Sequence, residues 1–394
     1  MALFPITPPA GIVKNGTDYA NKGRWVDGDL VRFENGYLKP IGGWDKLKAA
    51  ALDGAIIGLY SYKDNTGENI LAVGTREKVY VLYKNVWDDI TPSGFVNDAS
   101  DDPLGFDNWG EDLVFTFSKD GKIYKWQPNS GGTADTIATP VTNAPVGNLS
   151  TLVTNERHLV AIGSASDPRK VAWSNREDRN NWTSKATNTA GDLQIPTGGR
   201  ALFGVKYRSD VIIFSDTGIN RMFYAGSPFV YGIADAGTNC KSISSRTVVS
   251  TGNFLAWMGE NAFYIYDGSV KELPCEVHDY VFDNINVPGR GACWGGHNSN
   301  FNEIWWGFPS GDSQYTSNKY VIWNYNSNVW SIGSMDRGAW VDQGAFTYPI
   351  AGDSLGFVYE HESTTLSNSP DLGTAVPFAT SGPIQIGNGD NYVQ

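Results

Sequence analysis

The chain has 394 residues, and its 45 glycines and 19 prolines interrupt it at short intervals. Because each Gly or Pro inside a helix costs roughly 1–3 kcal/mol, this composition excludes long helices. Aromatic residues make up 13% of the sequence and favour the half-buried surface of strands, so an all-β protein is predicted. The formal net charge of −12 argues against a protein that binds DNA by neutralising its phosphates.

Signals for targeting and covalent cross-linking are weak. The first residues lack the basic start and apolar stretch of a signal peptide, and no apolar run reaches the length of a membrane span. Three cysteines, Cys240, Cys275 and Cys293, are too few for a disulfide framework. We therefore expect a soluble protein, without a membrane span, that is made and assembled in a cytoplasm.

The first 50 residues contain an arm and a hairpin. Pro5, Pro8, Pro9 and Gly11 predict that residues 1–20 form an extended arm outside any core. The Asn35-Gly36 pair lies between two apolar runs, which is typical of a β-hairpin with a type I′ turn. We assign residues 1–50 to this N-terminal arm and hairpin.

A repeat of short strands follows. Seven strand-like segments each end on an aromatic residue, namely 79–83, 123–126, 170–173, 221–224, 263–266, 321–325 and 356–359. The terminal aromatics are separated by 43, 47, 51, 42, 59 and 34 residues. Most segments follow a second apolar run and a polar turn, and this pattern at roughly 40–50 residues is that of a propeller blade. We predict a β-propeller of six or seven blades over residues 51–365 and a C-terminal extension over residues 366–394. A β-sandwich or two small barrels remain the alternative.

Four side chains could hold a metal ion. Cys275 and His278 form one close pair, and Cys293 and His297 form a second pair 14 residues further on. Tetrahedral zinc sites use such ligands. However, the order of Cys and His is unusual, and Cys in a strand-rich region is commonly a small buried residue. We therefore expect no metal site and no other cofactor.

Two further groups of residues suggest carbohydrate chemistry. Carboxylates at Asp88, Asp89, Asp98, Asp101, Asp102 and Asp107 could supply the acid pair of a glycosidase, although Asp beside Pro and Gly usually initiates turns. Six tryptophans occur within 47 residues, namely Trp294, Trp305, Trp306, Trp323, Trp330 and Trp340. Exposed indole rings could stack on sugars, whereas buried ones would fill the gaps between blades. We expect the buried arrangement and no catalytic residue.

Several stretches resemble the tail nozzle, or packaged-DNA stabilisation, family of short-tailed bacteriophages. The opening resemblance lies in residues 15–19, 22–25, 31–33 and 38–44, which include Val31-Arg32-Phe33 and Gly42-Gly43-Trp44. Residues 210–214, 224–226, 237–240 and 262–266 resemble the propeller portion of that family. Residues 381–384 and 387–390 resemble a stretch beyond which members of that family usually continue.

The resemblance implies a function in the virion. It implies a tail subunit that assembles into a ring, as a homohexamer, below a tail adaptor or connector ring, with tail fibre or spike proteins as further partners. The ring would line the DNA ejection conduit and retain packaged DNA, which would pass without sequence-specific binding. In the arm, Phe4, Arg24 and Trp25 are the expected interface residues. The alternative is a carbohydrate-binding or glycan-cleaving propeller that acts in host recognition.

Overall fold

The computed structural model describes residues 7–96, 104–370, 375–385 and 392–393. Four strands come first: β1 (Trp25–Asp29), β2 (Val31–Glu34), β3 (Tyr37–Pro40) and β4 (Gly42–Lys46). β2 and β3 form the predicted hairpin, with Asn35 and Gly36 at φ values of 51° and 82°. Positive φ at both turn residues is what a type I′ turn requires, so this prediction is confirmed.

Seven antiparallel four-stranded sheets follow in chain order. Blade 1 contains β5 (Ile56–Lys63), β6 (Asn69–Thr75), β7 (Val79–Tyr83) and β8 (Val86–Asp89). Blade 2 contains β9 (Leu104–Trp109), β10 (Asp112–Phe117), β11 (Ile123–Trp126) and β12 (Thr139–Pro140). Blade 3 contains β13 (Ser150–Val153), β14 (Leu159–Ile162), β15 (Lys170–Trp173) and β16 (Gly191–Gln194). Blade 4 contains β17 (Ala201–Tyr207), β18 (Asp210–Ser215), β19 (Gly218–Gly226) and β20 (Val230–Thr238).

The remaining blades are built in the same way. Blade 5 contains β21 (Val249–Ser250), β22 (Leu255–Met258), β23 (Phe263–Tyr266) and β24 (Val270–Leu273), and α1 (His278–Phe282) follows it. Blade 6 contains β25 (Trp294–Asn298), β26 (Glu303–Phe308), β27 (Lys319–Asn324) and β28 (Val329–Ser334). Blade 7 contains β29 (Ala339–Val341), β30 (Ile350–Gly352), β31 (Val358–Thr365) and the early strand β4. The last strands are β32 (Phe378–Ser381), β33 (Ile384–Gln385) and β34 (Tyr392–Val393).

The blades form a closed ring. The first strand of each blade contacts the first strand of the next, and β29 of blade 7 contacts β5 of blade 1. The fold is therefore a seven-bladed β-propeller, which confirms the predicted class. Each predicted aromatic-ended segment overlaps the third strand of its blade. Short 3₁₀ turns occur at Ser245–Thr247, Val287–Ala292, Ser299–Phe301 and Leu366–Asn368. Over the ranges given above, no helix is long and apolar enough to cross a membrane.

Hydrophobic clusters fill the gap between each pair of neighbouring blades. Strands such as β7, β10 and β26 are buried along their whole length because blades cover both of their faces. Between blades 6 and 7, Trp294 and Trp305 stack on Trp340, with ring centroids 6.1 and 5.3 Å apart. Gly296 and Gly307 leave room for these rings, because a Cβ at either position would overlap Trp340 or Trp294.

The ring is closed by the strand that precedes blade 1. β4 pairs antiparallel with β31, and Trp44 lies opposite His361. Residues 42–46, which the sequence analysis assigned to the arm and hairpin, therefore supply the outermost strand of blade 7. This pairing joins the two ends of the repeat, and the closing strand is consequently part of the propeller itself.

Part of the arm belongs to the core, contrary to the expectation that residues 1–20 lie outside it. Ile12 is fully buried in the cluster between blades 5 and 6, and Val13 is nearly so. The Ile12 N–H donates to the Trp330 carbonyl at 2.8 Å, and the Val13 N–H donates to the Trp25 carbonyl at 2.9 Å. The outer strand of blade 6 has a free edge there, and the arm supplies hydrogen bonds and apolar cover to it.

Replacing Trp44 in the closing strand should destabilise the whole propeller. The side chain is 6% exposed, and its ring stacks on His361 at a centroid distance of 5.4 Å. We expect Trp44→Ala to lower the free energy of unfolding by about 3–5 kcal/mol, measured by urea denaturation. Tyr37→Ala at the hairpin turn, where the side chain is 74% exposed, is the matched control. Equal stability of the two variants would contradict this role for Trp44.

Candidate functional site

The two ends of the described chain meet at the rim of blade 6. β1 pairs antiparallel with β32, so that Trp25 lies opposite Ser381 and Asp29 opposite Phe378. β1 and β2 both contact β28, the outer strand of blade 6. We call residues 25–40 and 378–381 the terminal module. The module is thus an addition to the propeller, held on its outer surface.

Two of the three predicted interface residues have contacts within the chain. Arg24 donates through Nη2 to both carboxylate oxygens of Glu276, at 3.2 and 3.1 Å. Trp25 is partly buried against the cluster between blades 5 and 6. Phe4 lies outside the described residues. A contact of these residues with a neighbouring copy stays a prediction.

A buried ion cluster joins the terminal module to blades 6 and 7. The Arg32 side chain is 3% exposed and forms ion pairs with Glu303 of β26, at 3.0 Å, and with Glu362 of β31. Its guanidinium carbon lies 3.7 Å from the centroid of the Phe301 ring. Asn298 donates to Glu362 at 3.1 Å. One side chain of the module therefore binds two blades at once.

The backbone of blade 7 is shaped to present Glu362. The pairing of β31 with β4 is irregular between His361 and Thr364, and Glu362 has a φ of 61°. Such a bulge re-aims a side chain, here towards Arg32. Gly42 faces this bulge, and a Cβ at Gly42 would overlap the Glu362 carboxylate. The glycine at position 42 is thus required for the ion cluster to form.

The cluster carries more negative than positive charge. With both carboxylates ionised, the single guanidinium leaves one buried negative charge uncompensated. Burial, and to a lesser extent the Glu362 charge, raise the pKa of Glu303 to about 7 against the opposing attraction of Arg32. The Trp305 indole N–H also donates to Glu303, at 3.0 Å. The cluster therefore takes up a proton near neutral pH, which removes the excess charge.

A second buried carboxylate connects the inner strands of four blades. Asp107 of blade 2 accepts hydrogen bonds from the Tyr60 hydroxyl of blade 1 at 3.0 Å and from the Val153 N–H of blade 3 at 2.8 Å. Lys206 of blade 4 donates to the same carboxylate at 2.7 Å. Burial, followed by the Asp107 charge, raises the pKa of Tyr60 well above its ordinary value. Asp107 therefore links blades 1, 2, 3 and 4 by hydrogen bonds close to the propeller axis.

Two cavities of the described residues lie near the propeller axis. One of about 340 Å³ is lined by inner-strand and loop residues that include Tyr60, Phe106, Arg246 and Trp340. A neighbouring cavity of about 420 Å³ shares Tyr60 and Phe106 and includes Asp107 and Lys206. Neither cavity has room for a macromolecule.

The proposed glycosidase carboxylates are not collected into one site among the described residues. Asp107 lies on the inner strand of blade 2, whereas Asp88 and Asp89 lie on β8, the outer strand of blade 1. Asp98, Asp101 and Asp102 lie outside the described residues. The six clustered tryptophans are between 0% and 7% exposed. They fill gaps between blades, as expected, and do not offer a ring surface for stacking on sugars.

The structure separates the Cys and His residues of the candidate zinc set. Cys293 is buried in the cluster between blades 5 and 6. His278 lies 2.9 Å from the Asn261 carbonyl, and His297 lies 3.2 Å from the Tyr325 hydroxyl and 3.0 Å from Asp342. Burial raises the pKa of Cys275 to about 12. Among the residues that the structure describes, no group of three or more His, Cys, Asp or Glu side chains could hold a metal ion.

No family model matches the chain, and no curated protein matches it. Solved structures of similar shape include a novel fungal alcohol oxidase of the AA5 family in complex with copper. It is 12% identical, with 85% of this chain and 79% of that chain covered and a TM-score of 0.49. Another is YCF48 from Cyanidioschyzon merolae, at 9% identity, 81% and 99% coverage and a TM-score of 0.46. At these values neither likeness carries a functional argument.

The Glu303 carboxylate should give the stability of the protein a measurable pH dependence. Its pKa is about 7 when folded and about 4.3 when unfolded, so between these values the folded state holds the extra proton. The free energy of unfolding then falls as pH rises through this range. Glu303→Gln keeps an oxygen acceptor for Arg32 and Trp305 but cannot ionise, so its stability should fall less from about pH 5 to pH 8.

The comparison is made by urea denaturation of both proteins across this pH range. Glu34→Gln is the control, because Glu34 is 38% exposed and pairs with Lys39 at the surface. The pH dependence of this control should match that of the unmodified chain. A Glu303→Gln protein whose pH dependence also matches would contradict the raised pKa.

Removing the Asp107 carboxylate should loosen the propeller axis. In Asp107→Ala, the buried Val153 N–H loses its acceptor, which costs about 1–3 kcal/mol. Asp88→Ala on the exposed outer strand should change the free energy of unfolding by less than about 0.5 kcal/mol. Urea denaturation measures both, and hydrogen exchange of the Val153 amide reports the local effect. An unchanged exchange rate of the Val153 amide hydrogen would contradict the inference that Asp107 links these blades.

Proposed function

We propose that this chain is a structural subunit of a phage tail, in a nozzle or tail-tube ring that forms part of the DNA ejection conduit and retains packaged DNA. The family resemblance motivates the proposal, and its motifs coincide with residues of structural consequence. Val31-Arg32-Phe33 supplies the buried ion cluster, and Gly42-Gly43-Trp44 supplies the closing strand and the space for Glu362. The role is structural and needs no catalytic group or cofactor.

The observation that carries the proposal is the placement of the terminal module. Both ends of the described chain leave the propeller at the rim of blade 6 and pair with each other through β1 and β32. The module is anchored by a buried guanidinium, at the cost of desolvating three charges. The terminal module is thus held in a fixed position on the rim of the propeller. Such a fixed surface segment is suited to contact with other copies and with an adaptor ring.

The geometry of the axis favours a conduit between copies over a conduit through one propeller. A DNA duplex is wider than its major groove, which alone measures about 12 Å. It therefore does not fit into the axial cavity of about 340 Å³. DNA would therefore pass through the lumen of a ring of propellers, which we propose to be a homohexamer in the virion tail. A chain of net charge −12 provides few cations to bind passing phosphates, so DNA could move without adhering.

The alternative is a carbohydrate-binding or glycan-cleaving propeller for host recognition, and it would need a surface other than the tryptophan cluster. The tryptophans that first suggested it are buried. A glycan site would have to use other side chains, and no arrangement described above favours one.

Assembly state tests the proposal directly. Purified protein is examined by native mass spectrometry and by electron microscopy of particles, alone and with a phage tail adaptor ring. A closed ring, formed alone or on the adaptor, is the expected result. A protein that stays monomeric with the adaptor and binds a panel of glycans would overturn the proposal and favour the alternative.

A further inference from the structure

Blade 4 carries a two-stranded ribbon that extends beyond its sheet. β19 and β20 are nine residues each, and β18 pairs with β19 only as far as Met222. Beyond Met222, the two strands pair only with each other, as Tyr224 with Tyr231 and Gly226 with Val230. We call residues 223–231 the ribbon. The ribbon extends past the last pairing of β18 with β19.

The base of the ribbon is held firmly on blade 3. The Tyr231 hydroxyl donates to Glu156 at 3.0 Å and lies 2.7 Å from the Thr154 hydroxyl and 2.9 Å from the His158 ring. The Tyr231 ring also packs edge-on against Trp173 at 5.1 Å. The ribbon is therefore presented in a fixed direction, and little conformational entropy would be lost on binding.

The end of the ribbon is apolar and exposed. Phe229 is 77% exposed, more than any other large apolar side chain in the described residues, and Tyr224 is 48% exposed. No residue from Met222 to Ala234 is charged. Exposed aromatic residues grouped on one projection mark an interaction surface.

An apolar groove lies on the other side of the propeller. It has a volume of about 540 Å³ and lies between the terminal hairpin and the end of β31. Its apolar walls come from Pro40, Ile41, Phe301, Leu366 and Pro377. We call this the terminal groove. Its volume suits one or two aromatic side chains.

We propose that the ribbon of one copy docks in the terminal groove of the next copy in the ring. This inference rests on the proposed function, since it supplies the contact by which the ring would form. Two arguments lead to a second copy as the occupant, one from charge and one from position.

The charge argument begins with the repulsion between copies. Each chain carries a net charge of −12, so two copies repel, and a stable contact requires patches without excess negative charge. The ribbon has no charged side chain. The charged groups at the groove are paired with each other, Glu34 with Lys39 at 2.9 Å and Arg32 with Glu362. A ribbon without charged side chains and a groove whose charges are paired can therefore meet without repulsion between like charges.

The second argument concerns where the ribbon and the terminal groove lie around the propeller axis. The ribbon belongs to blade 4 and the groove to blade 7 and the terminal module, so the two lie about three blades, or roughly 150°, apart around the axis. A contact between two different patches on opposite sides of a subunit is heterologous, and it generates rings or filaments rather than closed dimers. A ring is the arrangement that the proposed function requires.

Phe229→Asp tests the proposal, with Leu355→Asp as its control. Leu355 is 69% exposed in a turn of blade 7, so both substitutions add one negative charge in place of an exposed apolar side chain. We expect Phe229→Asp to weaken ring assembly by about tenfold or more, because a buried aromatic contact is lost. Leu355→Asp should assemble like the unmodified chain. Native mass spectrometry across a dilution series measures assembly, and circular dichroism confirms that both variants fold.

Cross-linking identifies the groove as the receptor. Protein with Ser227→Cys is mixed with protein carrying Ser367→Cys at the groove edge, and the mixture is oxidised and analysed on a non-reducing gel. We expect cross-linked pairs from this mixture and none when Leu355→Cys replaces Ser367→Cys. Each of these three positions is exposed, so the substitutions should not disturb folding.

The outcomes separate this inference from the proposed function. If rings form but Phe229→Asp assembles normally and no cross-link appears, the inference is wrong and the function stands. If deleting residues 1–6 abolishes the ring while Phe229→Asp does not, the N-terminal segment is the contact, and the inference is again wrong. If the unmodified chain forms no ring even with the adaptor, both fail.

Discussion

The pairing of β4 with β31 is the constraint on which the rest of the structure depends. Seven sheets stacked around an axis bury both faces of every blade only if the last blade meets the first. Here the last blade obtains its outer strand from the chain that precedes the first blade. Because residues 42–46 are fixed on blade 7, the hairpin immediately before them must lie near blades 6 and 7. The position of Arg32, and hence of the terminal module, follows from closure.

The same arrangement explains why a charged side chain is tolerated in the interior. Burying one guanidinium and two carboxylates costs desolvation energy that apolar packing would not. In return, the cluster selects one geometry, because Arg32 reaches Glu303 and Glu362 only when hairpin, blade 6 and bulged β31 are all in place. The charge excess makes this selection dependent on pH, since a proton on Glu303 neutralises the cluster. The cluster therefore fixes the position of the hairpin on blades 6 and 7, although burying its charges offsets much of the stability that the ion pairs contribute.

The repeat could be predicted from sequence because it is local. The third strand of each blade contains an apolar segment with an aromatic residue, and in blades 1 to 6 all four strands are consecutive in the chain. The closing strand could not be predicted in this way, because Trp44 meets His361, more than 300 residues later. The carboxylate partners of Arg32 are similarly distant, although a charge within the apolar run 30–33, and Glu303 before Ile304 and Trp305, are signals that paired buried charges exist. The spacing of Cys275, His278, Cys293 and His297 could not by itself decide whether the four side chains meet, because residues that are close in sequence lie in different strands and turns.

Closing the axis with side chains determines where function can lie. The two cavities described at the axis are too small for a macromolecule, so a macromolecular partner would contact the rim, the two faces or the appended segments. On this molecule the rim is uneven: one side carries the terminal module, and another carries the long ribbon of blade 4. In the ring that we propose, a net charge of −12 on each copy would favour contact through patches without excess negative charge. The same charge would leave few cations in the proposed lumen to bind passing DNA phosphates.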